Sequence, residues 1–239
     1  MSPEACPPWL CGVWSRSWIR RASADGGGLG PPSTAVEVRY VQTPIYFADV
    51  RRPTEGGEGT LAFGGVTTVQ LDEVKPPLVT WHACLDIDAV FKDAEDRWAD
   101  ADSGRPRPSE DQGYFSKLDD ATDAYTEVDP AGTLEERWER IDDGAGRFLA
   151  ARRGSSIVVL AGSHFAYAHD ERAAGGSATY VAGRVGLDGW IVELAAAGEQ
   201  PEGSRLVLPG GAPEWSVLPG STIDLSASGV AFVVDAAQG

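Results

Sequence analysis

In the segment Thr80-Trp-His-Ala-Cys-Leu-Asp86, side chains capable of acid–base and thiol chemistry recur at every second position. Period-two alternation puts His82, Cys84 and Asp86 on one face of a strand, with Trp81, Ala83 and Leu85 on the other. If the polar face lines a cavity, His82 is a candidate general base, or half of a thiolate pair with Cys84. Trp81, Cys84 and Asp86 are then candidate ligand contacts. Same-face neighbours lie about 6.6–7 Å apart along the backbone, so a direct His82–Cys84 hydrogen bond needs favourable rotamers. The competing reading is a solvated face, or a histidine bonded to a backbone carbonyl.

A second constellation lies upstream. Asp49 and Arg51 share a face with Phe47, and Tyr46 points the other way. Inside a barrel, such an Asp/Arg pair either binds the polar end of a ligand bidentately or forms a structural ion pair. Asp49 and Tyr46 join His82 as candidates for proton transfer. His164 and Tyr167 are candidate ligand contacts. His164 and His169 differ by an odd number on one strand, so they face opposite sides and do not ligate one metal. With three histidines, three cysteines and no H-E-x-x-H or C-x-x-C spacing, neither a metal nor another cofactor is expected. Gly26–Gly30 lacks the Lys-Ser/Thr of a phosphate-binding loop, and no Gly-x-Ser-x-Gly elbow opens a helix. The paired acids Asp119-Asp120, Glu135-Glu136 and Asp142-Asp143 read most simply as solvated surface.

The elements that must position these groups read as strands. Ala35–Gln42 alternates Val36, Val38 and Tyr40 against Glu37 and Arg39. Pro44 breaks the run, and Ile45–Arg51 follows. Further strands are expected at Val66–Leu71, Leu78–Ile87, Gly113–Leu118, Arg147–Arg152, Ile157–Ala161, His164–His169, Ala178–Val185, Trp190–Leu194, Arg205–Leu208 and Val230–Val234. Turns separate them at the spacing of sandwiches and barrels. Leu134–Ile141 fits a helix by its apolar spacing; as a strand it places Leu134, Glu136, Trp138 and Arg140 on one face. The acidic stretch Lys92–Gln112 carries a short helix around Ala94–Ala101, and is either a lid or a plain crossing. Gly12-Val-Trp14-Ser-Arg16 and Glu136-Arg-Trp138-Glu-Arg140 echo each other about half a chain apart, each with Trp and Arg on one strand face.

Two resemblances follow. The blocks Gly12–Arg16, Gln42-Thr-Pro-Ile-Tyr-Phe-Ala-Asp-Val-Arg51, Gly64-Gly-Val-Thr-Thr68, Thr80-Trp-His82, Glu136–Arg140 and Gly162-Ser-His-Phe-Ala-Tyr167 resemble a family of uncharacterised bacterial proteins, to which no biochemical role is attached. The chain departs from that pattern after His82. The Gly-x-Trp opening is similar to the first strand of lipocalins and other calycins, where a Trp closes one end of a barrel and packs on an Arg. The resemblance implies that Trp14 and Trp138 are barrel plugs, and it favours strand for Leu134–Ile141.

Length and composition bound the rest. At 239 residues, the net charge of −16 argues against nucleic acid and anionic lipid and leaves cationic or neutral ligands favoured. No run of about 18 apolar residues spans a membrane. The opening residues lack a signal-peptide pattern, so a cytoplasmic, bacterial protein is expected. The fold class is all-β: a calycin-like antiparallel β-barrel, or two barrel-like lobes at 1–125 and 126–239. Eight tryptophans, seven phenylalanines and six tyrosines suit either an ordinary core or a ring-lined cavity. The expected function is binding of a small, mostly apolar molecule in that cavity. The alternative is a cofactor-independent cyclase or isomerase of specialised metabolism using the same cavity, and a scaffold using the acidic loop is a third class. Expected partners are that ligand or substrate, with a homodimer as an option.

Overall fold

Alternating apolar and polar residues dominate the first 142 residues, and each such run forms a strand. A computed structural model describes residues 5–23, 26–54, 61–118, 123–186, 189–197, 202–206 and 216–217. Eight strands run in chain order: β1 (Gly12–Arg21), β2 (Val36–Gln42), β3 (Tyr46–Pro53), β4 (Leu61–Gln70), β5 (Leu78–Asp86), β6 (Gln112–Lys117), β7 (Ala124–Val128) and β8 (Leu134–Asp142). Each pairs with the next, and β8 pairs back onto β1, closing an antiparallel barrel. Closure removes both sheet edges.

The following strands, β9 (Phe148–Arg153), β10 (Ser156–Ala161), β11 (His164–Asp170), β12 (Ala178–Gly186), β13 (Gly189–Ala197) and β14 (Ser216–Val217), form a sheet in the order β13-β12-β11-β10-β9-β14. The described strands of this second half make an open sheet rather than a second barrel. The change of sheet falls between Asp142 and Phe148, and a cut at 125/126 passes through β7. Alternation along β11 sorts its faces. Ala166 and Ala168 join the core shared with the barrel, whereas Phe165 and Tyr167 join a separate core on the other face. Leu134–Ile141 is strand, as the plug resemblance implied. The expected strand at Val230–Val234 and the end of Arg205–Leu208 lie outside the described residues; Arg205 makes a single bridge to Ile191.

The stretch after β5 carries helix α1 (Ala94–Asp102), within a residue of the short helix expected there. Its Trp98 is fully buried against Tyr46, with 6.3 Å between ring centroids. Arg152 of β9 lies over the same indole at 5.2 Å. The helix is thus packed between barrel and second sheet. Among the described residues no helix is long and apolar enough to cross a membrane.

Close backbone approach fixes one glycine. At Gly65 the β4–β5 register shifts, and a Cβ there would lie 2.0 Å from the His82 carbonyl oxygen. No side chain yields in that contact, because the clash is with backbone. We expect Gly65→Ala to cost about 2 kcal/mol or more. Gly30→Ala is the control: its Cβ would come no closer than 3.4 Å to any atom. Urea denaturation of both variants measures the difference.

Candidate functional site

Inward-facing positions of the barrel carry charge. Cross-strand register places Tyr40 opposite Asp49, Asp49 opposite Phe63, Arg16 opposite Trp138 and Glu127 opposite Glu136, so all of these point inward together. All but Arg16, which lies behind Glu136, line a cavity of about 80 Å³. Its ring wall comes from Trp14, Tyr40, Phe63, Trp81, Phe115 and Trp138, and its carboxyl groups from Asp49, Asp111, Glu127 and Glu136. Four of the lining residues, Arg51, Phe63, Trp81 and Asp111, also wall an outer cleft of about 420 Å³ bounded by His82, Asp86, Arg97 and Arg107. The cavity therefore adjoins that cleft across a shared rim.

Two guanidinium groups neutralise two of the four acids. Arg51 grips Asp49 through Nε and Nη2 at 3.1 and 2.8 Å. Burial pushes the Asp49 carboxyl up and Arg51 opposes it. Arg16 Nη1 donates to Glu136 Oε1 at 2.5 Å, with both side chains under 5 % exposed. Glu127 and Asp111 have no such cation. Glu127 accepts a hydrogen bond from Trp138 Nε1 at 2.7 Å, and burial, then Glu136 and Asp111, push its carboxyl well up. Asp111 sits at the rim and is exposed as a residue. The protein packed around its carboxyl raises it to about 6, against the pull of Arg51 and with the push of Asp49 and Glu136.

The barrel's far wall is polar and internally satisfied. Tyr40 donates to Gln42 Oε1 and accepts from Trp81 Nε1 at 3.0 Å; Thr67 Oγ1 donates to the same Gln42 oxygen at 2.8 Å. An aromatic group plugs one end. Trp9 stacks on Tyr125 at 5.6 Å, and Tyr125 meets Trp14 edge-on at 5.4 Å. Arg140 lies over the Trp14 ring at 4.8 Å. This is the Trp-on-Arg packing that the calycin resemblance implied for Trp14. Trp14 and Trp138 both line the cavity, and Trp138 also holds Glu127.

The residues singled out by sequence separate into several places. Asp49, Arg51 and Trp81 line the cavity. His82 and Asp86 face the outer cleft. His82 Nδ1 donates to the Arg107 carbonyl at 2.6 Å, since a carbonyl only accepts, and Nε2 therefore accepts from Thr68 Oγ1 at 2.9 Å. Burial holds its pKa down, so this is a neutral imidazole with both nitrogens engaged. Cys84 is buried and its thiol is pushed up to about 12, which removes the thiolate on which the His–Cys pairing depends. Tyr46 lies outside the cavity and donates to Asp102 Oδ1 at 3.1 Å. His164 contacts Asp142 Oδ2 at 3.2 Å. Tyr167 is buried in the second core beside the His169 ring. Thus His82, Asp49 and Tyr46 do not share one cavity. Among the described residues no group of three metal-ligating side chains is clustered.

One reading of the acids is corrected. Glu136, taken with Glu135 as solvated surface, is 3 % exposed and central to the site; only Glu135 is at the surface, where it meets Arg20 at 3.1 Å. The signal was present in the strand reading, which put Glu136 on the Trp138 face. Glu127 and Asp111 carried no such signal.

Fold and cavity together define a closed eight-stranded antiparallel barrel with a ring-lined, carboxyl-rich interior, backed by a second sheet. No family model and no curated protein matches the chain. Among solved structures, the chain is similar to an uncharacterised protein from Saccharomyces cerevisiae, at 11% identity and a TM-score of 0.52 over 87% of this chain and 95% of that one. The likeness is one of fold.

Two outcomes test this geometry. Glu136→Ala strands the Arg16 guanidinium in the barrel and is expected to cost about 3 kcal/mol or more, whereas Arg16→Met combined with Glu136→Leu recovers most of the loss. Asp111 titrates higher folded than unfolded, so the folded state holds its proton more tightly. Its stabilising contribution is complete below about pH 4 and is lost as pH rises through about 6. Asp111→Asn is therefore expected to flatten the decline of stability across that window, read from denaturation midpoints.

Proposed function

We propose that the chain is a calycin-like barrel that binds a small molecule, with a compact group of the ligand in the cavity and the remainder in the outer cleft. The supporting observation is a ring-walled cavity of about 80 Å³ whose rim is shared with a cleft of about 420 Å³. A single water needs about 10–15 Å³ measured in this way, so the inner space takes a group of a few heavy atoms. The ring wall supplies apolar contact, and the carboxyl groups orient a polar end. The lining is more polar than the mostly apolar ligand expected from sequence would need.

A second reading is proton-transfer catalysis, as in a cofactor-independent cyclase or isomerase. It is favoured by two carboxyl groups, Glu127 and Asp111, held above the ordinary range in one cavity, which suits a general acid working near neutrality.

Native mass spectrometry of the purified protein, with an absorbance scan alongside, is the direct test. A small molecule released on denaturation is expected. Leu134→Trp, which fills the lining at a half-buried position, is expected to abolish that adduct while leaving the circular dichroism spectrum and Tm near the parent's. An adduct that survives this substitution would place the ligand elsewhere. Once the ligand is known, Glu127→Gln separates the readings: turnover lost with binding retained favours the enzyme.

A further inference from the structure

Charge bookkeeping inside the barrel is unbalanced at one residue. Glu127 and Glu136 are direct cross-strand partners on the inward face, an arrangement that destabilises a sheet when both are ionised. Arg16 is committed to Glu136 and Arg51 to Asp49. Glu127 is 6 % exposed and receives only the Trp138 indole N–H; among the described residues nothing donates to its other oxygen. Gly113 makes room for the Glu127 side chain, since a Cβ there would lie 2.4 Å from Glu127 Cγ. Aromatic side chains line the cavity beside it.

We propose that the ligand of this cavity carries a protonated amine, with Glu127 as its counter-ion and Trp81, Phe115 and Trp138 as the surrounding ring wall. This rests on the cavity-binding reading above. A buried carboxylate beside aromatic faces is the chemistry that recognises ammonium groups, through a charge-assisted hydrogen bond and cation–π attraction. An anionic ligand meets four carboxyl groups and two guanidinium groups already engaged. A neutral apolar ligand leaves Glu127 desolvated with nothing gained.

The groups facing Glu127 are Glu136 from β8, Arg16 from β1, Asp49 and Arg51 from β3, and Asp111 from the segment before β6. The acids and burial favour the protonated form of the empty site, so taking up an ammonium ion releases a proton from Glu127 to solvent. Affinity then rises with pH as long as the amine itself stays protonated.

The test uses three molecules of one size: n-butylamine, n-butanol and butyrate, titrated into the full chain and followed by tryptophan fluorescence and amide NMR shifts. n-Butylamine is expected to bind on the order of tenfold tighter than n-butanol, and butyrate not at all. Calorimetry in buffers of different ionisation enthalpy is expected to show proton release with the amine alone. Glu127→Gln is expected to bring the amine down to the level of n-butanol. Gly113→Ala, which crowds the same carboxyl, is expected to weaken the amine selectively and stands in if the glutamine variant fails to fold. Binding of n-butanol or butyrate at least as tight as that of the amine, or an amine preference that survives Glu127→Gln, overturns the inference and leaves the cavity reading intact. No binding of any of the three overturns the cavity reading as well.

Discussion

Burying charge is the constraint on which this barrel depends. Six ionisable groups, Arg16, Asp49, Arg51, Asp111, Glu127 and Glu136, crowd the interior or its rim. An unpaired ion taken from water costs several kcal/mol even after the protein relaxes. The Arg16–Glu136 pair answers that cost across the β1–β8 seam, joining residues 120 positions apart. Neither partner has the other until the first and last barrel strands meet, so the ion pair and barrel closure form together. The Asp49–Arg51 pair is different. It lies within one strand, two residues apart, and is available before closure.

Outside the barrel, polar side chains brace the segment between β5 and β6 against the rest of the fold. His82 holds the Arg107 carbonyl, while Arg107 itself reaches Asp93 and Asp100. Asp102 joins Tyr46 of the barrel to Arg152 of the second sheet. Arg172, from the turn between β11 and β12, donates to the carbonyls of Asp86 and Ile87 at 2.7 and 2.6 Å. Several residues that looked chemical in sequence thus shape the outer cleft. They fix its wall by hydrogen bonding, and the segment is an ordered crossing with a packed helix at its middle.

The strands were legible because period-two alternation is a local property, and β2, β3, β5 and β11 carry it plainly. β7 was not read, because Ala124–Val128 is a five-residue run with acid and hydroxyl side chains and little apolar contrast. The pairing of Asp49 with Arg51 was also local, since same-face neighbours can be read off one strand. Glu127 was invisible for a different reason. Whether a glutamate on a short strand faces water or the interior is decided by closure, and closure depends on partners far away in sequence. His82 was visible but ambiguous, because a catalytic imidazole and a bracing one have the same spacing; only the fold shows its bond to the Arg107 carbonyl.

The polarity of the lining also bears on how such a cavity discriminates. Rings accept almost any small organic group of suitable size, so a ring wall alone gives weak selection. A buried carboxyl with an empty acceptor position selects strongly, because a ligand that cannot donate to it strips its water and returns nothing. In this barrel the arginines are already engaged and the far wall of Tyr40, Gln42, Thr67 and Trp81 is satisfied internally. Among the described residues, the lining carboxyl groups without a paired guanidinium are Glu127 and, at the rim, Asp111. For the ligand proposed above, selectivity would reside in those two carboxyl groups, with the aromatic shell keeping water from competing for them.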